Sequence, residues 1–319
     1  MSTHSHTTLA VCICTYQRHA GLRQLLSTLD AQVFSLSPPP AVHLVVADNS
    51  PTGDARQVVQ GEPGRWPRHY VHEPRAGISH ARNACLDALP EGTDLIAMID
   101  DDEVPCAQWL DHLLDARRRS GADVVAGPAV PQFPPGTPPW VAASGFFLKP
   151  RNQHELSDLH PDPPVATCNV LLGGALLKDP VLRFDAALAR SGGEDKLLFQ
   201  AAKLKGYAFA WSPQAVTLEA YPAERATLAY MLRESYRRGC VKYRVKRLLK
   251  ARSAAKSLRI AARLLGRSLW RLAVDGLRLL LNLPRGRAHW VGAALDMADS
   301  AGTAAGVLGI PNRHYRPGR

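Results

Sequence analysis

Four consecutive acidic residues, Asp100, Asp101, Asp102 and Glu103, directly follow an apolar stretch that begins at Leu95. Such a short apolar run predicts a buried strand, which places the carboxylates at its end. Adjacent like charges repel, and burial strengthens the repulsion by lowering the effective dielectric constant, so a positive partner is expected. Oxygen ligands suit Mg²⁺ or Mn²⁺. These ions usually keep several bound waters and also bind substrate phosphates. A solvated acidic turn is the alternative.

The elements that would position these carboxylates alternate between strands and helices. The hydrophobic spacing predicts strands over Leu9–Cys14, Val42–Ala47, Tyr70–Val71, Leu95–Ile99 and Asp123–Ala126, and helices over Leu22–Leu29, Ser79–Leu89 and Trp109–Arg119. This alternation predicts an α/β fold with a mixed, mainly parallel sheet flanked by helices. Ligands of such sheets bind beyond the carboxyl ends of the strands. Thr15, Asp48 and the acidic run are therefore expected to converge on one crevice.

The second half of this region contains a long irregular segment and a second acidic pair. Pro128–Pro164 is rich in Pro, Gly and aromatic residues, too long for a plain connection, and predicts a functional loop. Regular structure is expected again over Cys168–Lys178 and in a helix over Lys196–Lys205. Glu194 and Asp195 lead into that helix. Helix capping is an alternative to a catalytic role, because the helix dipole favours acidic side chains in a first turn.

Charge is distributed unevenly along the 319 residues, whose net charge is +11. Residues 1–224 carry 18 Lys and Arg against 24 Asp and Glu, residues 225–290 carry 18 against 2, and residues 291–319 carry 3 against 2. The length fits an α/β domain of about 200–250 residues with an appendage. We therefore expect a catalytic domain over residues 1–224 and a basic helical extension over 225–319 that meet different partners.

The N-terminus and the cysteines indicate a reducing, cytoplasmic setting. Met1–Thr8 lacks a positively charged region followed by an apolar stretch, so no secretory signal is expected. The six cysteines lack the paired spacing of a zinc site and are expected to be reduced core residues. Cys12 and Cys14 should face the same side of the first strand.

A stripe of basic residues with helical spacing marks the C-terminal extension. Its members follow one another at steps of four, three, four, four, four and seven residues: Arg252, Lys256, Arg259, Arg263, Arg267, Arg271 and Arg278. Apolar residues fall on the opposite side: Leu258, Ala261, Ala262, Leu265, Leu269, Leu272, Leu279 and Leu280. This pattern predicts an amphipathic helix on the inner, anionic surface of the cytoplasmic membrane, with Trp270 and Trp290 at headgroup depth.

Other interpretations of the extension remain open. The apolar face could pack on the catalytic domain and leave the arginines solvated. Nucleic acid is disfavoured because no recognition motif or aromatic stacking pattern accompanies the charge. Charged residues such as Arg271 and Asp275 interrupt the best apolar run, so no membrane span is expected there. The Ala- and Gly-rich Val291–Ile310 fits either a shallow membrane-embedded helix or a packing helix.

Several separate motifs, in this order, resemble the inverting glycosyltransferases of family 2, which share the nucleotide-sugar-binding GT-A type fold. The closest likeness is to the subgroup that builds bacterial exopolysaccharides such as succinoglycan. The resemblance covers roughly Leu9–Tyr243, and its segments are Cys14–Arg18, Val46–Ser50, Gly77–Asn83, Ile99–Glu103 with Pro105 and Trp109–Leu110, Asn169–Val170, Gly192–Asp195 and Arg233–Gly239.

The resemblance implies a nucleotide-sugar donor, in the first place a UDP-sugar, and a divalent ion, Mg²⁺ or Mn²⁺. The implied donor nucleotide-binding residues are Thr15, Tyr16, Arg18, Asp48, Arg82, Asn83, Asp100 and Asp101. Among these, Asp48 would contact the base, and Arg82 and Asn83 the base and ribose. Asp100 and Asp102 would form the DxD pair, with Asp102 touching the metal directly. At Glu219 some relatives carry a histidine near the metal, which leaves that role undecided here.

The resemblance also implies a catalytic base and an acceptor site. A sugar hydroxyl attacks well only when a positioned base takes its proton, and a nucleoside diphosphate leaves easily only when its growing charge is neutralised. Asp195 resembles the base, Glu194 would orient it, and Asn169 and Trp211 are expected near the sugar or the acceptor. Direct displacement predicts inversion at the anomeric carbon. The implied acceptor is a saccharide or a polyprenyl-linked sugar.

Two other functions remain to be weighed against transfer. A sugar-phosphate nucleotidyltransferase also uses an α/β nucleotide site and a divalent ion, but no Gly-rich phosphate loop follows the first strand. A non-catalytic nucleotide-sugar-binding protein would not need both Asp195 and the acidic strand end. Fold alone names no substrate, so the donor sugar, the acceptor and the oligomeric state stay open.

Overall fold

The computed structural model describes residues 7–61, 63–147, 156–251 and 253–310. Three of the sequence-based predictions fall partly outside these ranges. They concern the N-terminal Met1–Thr8 up to His6, residues 148–155 of the predicted functional loop, and Arg252 of the basic stripe.

The chain folds as two compact units. Unit 1 comprises the described residues of Met1–Val130, Pro150–Ala189 and Leu198–Ala220, and unit 2 those of Pro131–Lys149, Arg190–Leu197 and Tyr221–Arg319. The charge distribution predicted a boundary after Glu224. Unit 2 begins close to that point but also takes two earlier segments, which contain aromatic residues and the predicted base.

Unit 1 is built around a sheet that has seven strands among the described residues, in the order β3-β2-β1-β4-β8-β6-β9. The strands are β1 (Thr8–Thr15), β2 (Ala41–Asp48), β3 (Arg68–His72), β4 (Leu95–Asp100), β6 (Val124–Ala126), β8 (Asn169–Leu172) and β9 (Phe209–Trp211). Neighbouring strands run parallel except that β8 is antiparallel to both β4 and β6. The sheet is therefore mixed and mainly parallel, as expected.

Both faces of this sheet are buried, which explains why its strands read as continuous apolar runs. Along β1, Leu9, Val11 and Ile13 point into one hydrophobic cluster, whereas Ala10 and Cys12 point into the other. The helices of this unit are α1 (His19–Asp30), α2 (Arg56–Gln60), α3 (Ile78–Asp87) and α4 (Trp109–Ser120), and the part of α6 (Glu194–Lys205) from Leu198 onward also belongs to it.

A smaller sheet follows directly from the acidic run. Its order is β5-β10-β7, formed by β5 (Glu103–Pro105), β7 (Ala129–Gln132) and β10 (Thr217–Ala220). In the antiparallel β5–β10 pair, Glu219 lies opposite Glu103, and the amide of Ala220 donates to the carbonyl oxygen of Asp102 (3.1 Å). The short strands of this sheet were absent from the sequence-based prediction because three or four residues show no clear periodicity.

The aromatic part of the predicted functional loop is ordered within unit 2. It includes α5 (Pro139–Ala143) and packs with the C-terminal helices in one hydrophobic cluster. Phe147 is central, since its ring centroid lies 4.9 Å from that of Phe133, 4.8 Å from that of Phe146 and 4.7 Å from that of Tyr221. Trp290 is partly buried against this cluster, and its expected place at membrane headgroup depth stays a prediction.

Three helices form the rest of unit 2: α7 (Leu228–Lys250), α8 (Ala254–Asn282) and α9 (Arg287–Val307). The Ala- and Gly-rich α9 packs closely on α7, because a side chain at Gly302 would overlap the carbonyl oxygen of Tyr236. Gly239 of α7 and Gly306 of α9 make equally close approaches. The sequence left Val291–Ile310 open between membrane and packing helix, and the structure makes its helical part a packing helix. Among the described residues, no helix is both long and apolar enough to cross a bilayer.

Candidate active site

The carboxyl ends of the central strands of unit 1 lie side by side in register. Thr15 at the end of β1 pairs with Asp48 of β2, and Cys14 pairs with Asp100 of β4. Thr15, Asp48 and Asp100, the first residue of the acidic run, therefore lie at one edge of the sheet. Binding beyond such an edge is the usual arrangement in open α/β sheets.

Burial alternates along the acidic run itself. Asp101 and Glu103 are 4% and 2% exposed, whereas the side chains of Asp100 and Asp102 are 38% and 21% exposed. Asp101 and Asp102 form the turn between β4, which ends at Asp100, and β5, which begins at Glu103. The run thus provides two carboxylates to solvent and two to the interior.

The buried carboxylate of Asp101 is held by two side chains from the loop after β1. Thr15 Oγ1 donates to its Oδ2 (2.8 Å), and Arg18 Nη1 lies 2.8 Å from its Oδ1. Burial raises the pKa of Asp101 to about 6, even though Arg18 opposes the rise. The same Arg18 nitrogen also lies 2.8 Å from Asp102 Oδ2. Burial disfavours the guanidinium charge, but Asp102 and Asp101 outweigh it and raise the pKa of Arg18.

The loop that carries Arg18 has an unusual backbone. Gln17 has a φ of +53°, a conformation that few residues other than glycine adopt. This turn separates the half-exposed Tyr16 from Arg18, which immediately precedes α1. The predicted contacts of Tyr16 with a nucleoside stay a prediction.

Asp48 is fully buried and organises the turn after β2. Its Oδ1 accepts from the amide of Ser50 (2.9 Å), and its Oδ2 accepts from the amide of Ala55 (2.8 Å) and the hydroxyl of Tyr70 (3.1 Å). Together with burial, the carboxylate raises the pKa of Tyr70 to about 12. Contact of Asp48 with a nucleotide base would add to these bonds, and it stays a prediction.

Asn49, to which the sequence analysis gave no role, links this turn to the segment before α3. Its amide donates to the carbonyl oxygens of Glu73 (2.7 Å) and Arg75 (2.8 Å), and its oxygen accepts from the amide of Gly77 (2.9 Å). These bonds fix the start of the helix that carries Arg82. An Asx residue directly after a strand was the available signal.

Arg82 and Asn83 on α3 make different contacts. Arg82 Nη2 lies 3.5 Å from Asp100 Oδ1, and its guanidinium lies 5.5 Å from the ring centroid of Phe184. Asn83 bonds the backbone of Phe184 in both directions, at 2.8 and 2.9 Å. Asn83 therefore supports the ring beneath Arg82, and its predicted contact with the nucleotide stays a prediction. Arg82 and Asp100 also line a small pocket with Thr167.

Asn169 and Trp211, predicted near the sugar or the acceptor, are both buried in strands of unit 1. The Asn169 oxygen accepts from Trp109 Nε1 (2.8 Å), and its amide donates to the carbonyl oxygens of Pro128 (2.9 Å) and Ala215 (2.7 Å). Trp211 is fully buried at the end of β9. These placements give Asn169 a bracing role within unit 1, and the sugar contacts of both residues stay predictions.

The predicted base lies in unit 2, in a turn that a second family segment holds. Gly192 and Gly193 have φ of +78° and +89°, which favours glycine, and α6 begins at the next residue, Glu194. Arg237 of α7 donates to the carbonyl oxygen of Ser191 (2.9 Å) and forms a two-point ion pair with Glu234 (2.6 and 2.7 Å).

The two acidic residues of this turn differ in exposure. Glu194 is buried. Burial disfavours the guanidinium charge of Arg237, but Glu234 and, less strongly, Glu194 outweigh this and raise the pKa of Arg237. Asp195 is half-buried, and its Oδ1 accepts from the amide of Lys196 (2.6 Å). The structure therefore brings together, within unit 2, the segments Gly192–Asp195 and Arg233–Gly239.

The acidic strand end fits a divalent ion that shares its ligands with substrate. In the described part of the chain, no three His, Cys, Asp or Glu side chains are grouped to hold a metal by themselves. Two carboxylates facing solvent, those of Asp100 and Asp102, match an ion that completes its shell with waters and phosphate oxygens. Arg18 already supplies positive charge at Asp102.

The six cysteines form no disulfide, and Cys12, Cys85, Cys168 and Cys240 are buried, whereas Cys14 and Cys106 are partly exposed. Four of the six are therefore core residues as expected, and their reduced state stays a prediction. Cys12 and Cys14 both line the pocket beside Arg82 together with Cys85. They therefore face the same side of β1, as predicted.

One face of α8 leaves large apolar side chains uncovered. Leu264, Ser268 and Asp275 are buried. Six large apolar residues are between 57% and 71% exposed: Leu258, Leu269, Trp270, Leu277, Leu280 and Leu281. The described members of the basic stripe, from Lys256 to Arg278, are also exposed. Burial and the neighbouring cations, Arg267 first among them, lower the pKa of Lys246 on α7. Positive charge is thus concentrated beside the uncovered face, named here the α8 face.

Comparison with known proteins agrees with this architecture. Residues 10–168 match the family described as Glycosyl transferase family 2. Over 231 residues the chain is 34% identical to the Succinoglycan biosynthesis protein ExoM of Rhizobium meliloti (strain 1021), covering 71% of each chain.

Two solved structures share the fold. S. aureus TarS 1–349 in complex with UDP has a TM-score of 0.55 at 16% identity, over 95% of this chain and 92% of that chain. The mannosyltransferase PcManGT from Pyrobaculum calidifontis, in complex with GDP-Man and Mn²⁺, has a TM-score of 0.56 at 18% identity, over 94% and 88%. These likenesses confirm the expected GT-A type fold class. The sequence relationship over 71% of the chain, together with the family match, places the protein in glycosyl transferase family 2, and it is a glycosyltransferase.

Proposed function

We propose that this glycosyltransferase moves a sugar from a nucleotide-sugar donor to a saccharide or polyprenyl-linked acceptor, with inversion, in bacterial surface or exopolysaccharide synthesis. The observation that carries the proposal is the strand end at which Asp100 and Asp102 face solvent while Arg82 lies 3.5 Å from Asp100. Opposite charges at one sheet edge suit a diphosphate bridged by a cation. The relative named for succinoglycan biosynthesis supports the pathway class.

Asp102, with Asp100, would hold Mg²⁺ or Mn²⁺, and that ion would neutralise charge on the departing nucleoside diphosphate. Arg82 adds a guanidinium that is always charged and can bind two oxygens at once. Thr15 and Asp101 keep the loop and the acidic run in place. Asp48, Asn83 and Tyr16 are the proposed contacts for the nucleoside, with uridine, supplied as UDP, as the first nucleoside to test.

Asp195 is the proposed base, taking the proton of the acceptor hydroxyl as that oxygen attacks the anomeric carbon. The turn that presents Asp195 is anchored by Arg237 at the carbonyl oxygen of Ser191. Glu194 is proposed to orient the base from its buried position. With one base and one displacement, an α-linked donor gives a β-linked product.

A membrane-bound acceptor would fit the proposed attachment of the protein to an anionic bilayer. The α8 face combines exposed leucines and a tryptophan with an adjacent row of arginines, the composition of helices that lie in a membrane interface. The anionic inner leaflet attracts such a row of basic residues. We propose this face as the site of peripheral attachment.

The catalytic proposal is tested with Asp195→Asn and Asp102→Ala in the full-length protein. Asp195→Asn should reduce transfer by at least about 100-fold while UDP affinity by calorimetry changes only a few-fold, because a general base acts on the acceptor. Asp102→Ala should remove the Mn²⁺ dependence of UDP binding. Asp162→Asn, an exposed aspartate paired with Lys203, serves as the matched control. Transfer that survives Asp195→Asn would reject the base, and Mn²⁺-dependent affinity that survives Asp102→Ala would reject the metal role.

A further inference from the structure

Arg18 bridges the two central carboxylates of the acidic run with one guanidinium nitrogen. Nη1 lies 2.8 Å from Asp101 Oδ1 and 2.8 Å from Asp102 Oδ2. The two carboxylates are not equivalent, since Asp101 is buried and also accepts from Thr15, whereas Asp102 faces solvent. Arg18 therefore joins a structural carboxylate to the one assigned to the divalent ion.

Arg18 and a divalent ion would both be attracted by the negative charge of Asp102. A unit charge within 4–6 Å changes the proton affinity of a carboxylate by about 1–3 pKa units, and its effect on the affinity for another cation has the same origin. Arg18 can withdraw, because its side chain is 40% exposed. Arg82, with a side chain 10% exposed and packed on Phe184, is much more confined.

We propose that Arg18 is a built-in competitor of the divalent ion at Asp102, so that the ion binds weakly until the donor diphosphate is present. This inference rests on the proposed metal role of Asp102. A diphosphate supplies both further oxygen ligands for the ion and alternative acceptors for the released guanidinium. Metal and nucleotide then strengthen each other's binding, and thermodynamic linkage makes this effect reciprocal.

Arg18→Gln isolates the effect when Mn²⁺ binding to the full-length protein is measured by calorimetry, with and without UDP. The substitution should tighten Mn²⁺ binding without UDP by about tenfold or more. This figure corresponds to about 1 pKa unit, the smallest effect expected of a neighbouring unit charge. The factor by which UDP improves Mn²⁺ affinity should shrink correspondingly. Arg18→Lys keeps the charge but loses the planar fork, so its effect should be smaller.

Arg23→Gln is the matched control, because it removes the same charge from an exposed position of α1. Its Mn²⁺ affinity should equal that of the unchanged protein. A melting curve identifies any variant that fails to fold, in which case Arg18→Lys carries the test.

The possible results separate this inference from the function on which it rests. Arg18→Gln with unchanged or weaker Mn²⁺ binding, in a protein that binds Mn²⁺ with UDP, would overturn the competition alone. An equal gain in Arg23→Gln would also overturn it, since general charge would then explain the effect. Failure of the unchanged protein to bind Mn²⁺ even with UDP would overturn the metal role of Asp102 and the competition together.

Discussion

Replacing Leu277, Leu280 and Leu281 of the α8 face by glutamine should weaken binding to anionic vesicles by about two to three orders of magnitude. Each of these side chains is about 60% exposed in the protein. Full burial of a leucine contributes about 1.5–3 kcal/mol, so covering the exposed part contributes about 1–2 kcal/mol each. The three substitutions together remove about 3–5 kcal/mol, and about 1.4 kcal/mol corresponds to a tenfold change in partitioning.

The assay is co-sedimentation of the full-length protein with vesicles of neutral phospholipid, with and without an anionic phospholipid. The unchanged protein should bind the anionic vesicles at low salt and lose affinity as salt screens the arginines. The control carries Val33→Gln and Leu204→Gln, which replace exposed apolar residues of unit 1. This control should bind as the unchanged protein does, because those residues lie outside the α8 face.

Arginine variants separate the two contributions to binding. Arg259→Gln, Arg263→Gln and Arg267→Gln should each weaken binding to anionic vesicles by about 1 kcal/mol and reduce the salt dependence, while the leucine variants should not reduce it. Equal binding by the triple leucine variant and the unchanged protein would refute the reasoning. So would an unchanged protein that stays off anionic vesicles at low salt, or an α8 face covered by a second copy, seen as leucine-dependent self-association.

Two further predictions concern stability. Gly302→Val should lower the free energy of unfolding by about 3 kcal/mol in chemical denaturation, because the valine side chain would overlap α7. Gly292→Val, in open space on α9, should have a much smaller effect. Equal stability of the two variants would contradict the close packing of α9. The pKa of Asp101, raised to about 6 from 3.8, means that folding takes up a proton between these values. The free energy of unfolding should therefore fall by about 2 kcal/mol as pH rises from about 4 to about 6, and Asp101→Asn should lose this component; the same pH slope in both proteins would contradict it.

The main strands of unit 1 could be predicted because each of them is a single apolar segment of the sequence. β1, β2 and β4 are covered on both faces and therefore appear as largely apolar runs, which only His43 interrupts in β2. The short β7 and α5 could not be predicted, because their four and five residues carry prolines and no clear period. What stabilises α5 is the aromatic cluster around Phe147, which includes Tyr221 from 74 positions later in the chain.

The partners of charged side chains were harder to predict than the strands. The sequence indicated that something positive belongs at the acidic run, but it did not say that Arg18, more than 80 residues earlier, supplies it. The link between Arg237 and Ser191 likewise joins residues 46 positions apart in the chain. Such pairs depend on how separate segments are brought together, which local periodicity does not record. The order of the family motifs indicated that the segments around Ser191 and Arg237 matter, but it did not specify the hydrogen bond between these two residues.

Small residues explain why α9 could not be assigned from its sequence. Gly and Ala allow close helix approach both in membranes and in water-soluble bundles, so composition alone fits either setting. The decision comes from α7, whose Gly239 meets α9 as closely as Gly302 meets α7. Reciprocal contacts of this kind use the small residues for packing within unit 2. The apolar surface left for a bilayer is therefore that of α8, where the large side chains remain uncovered.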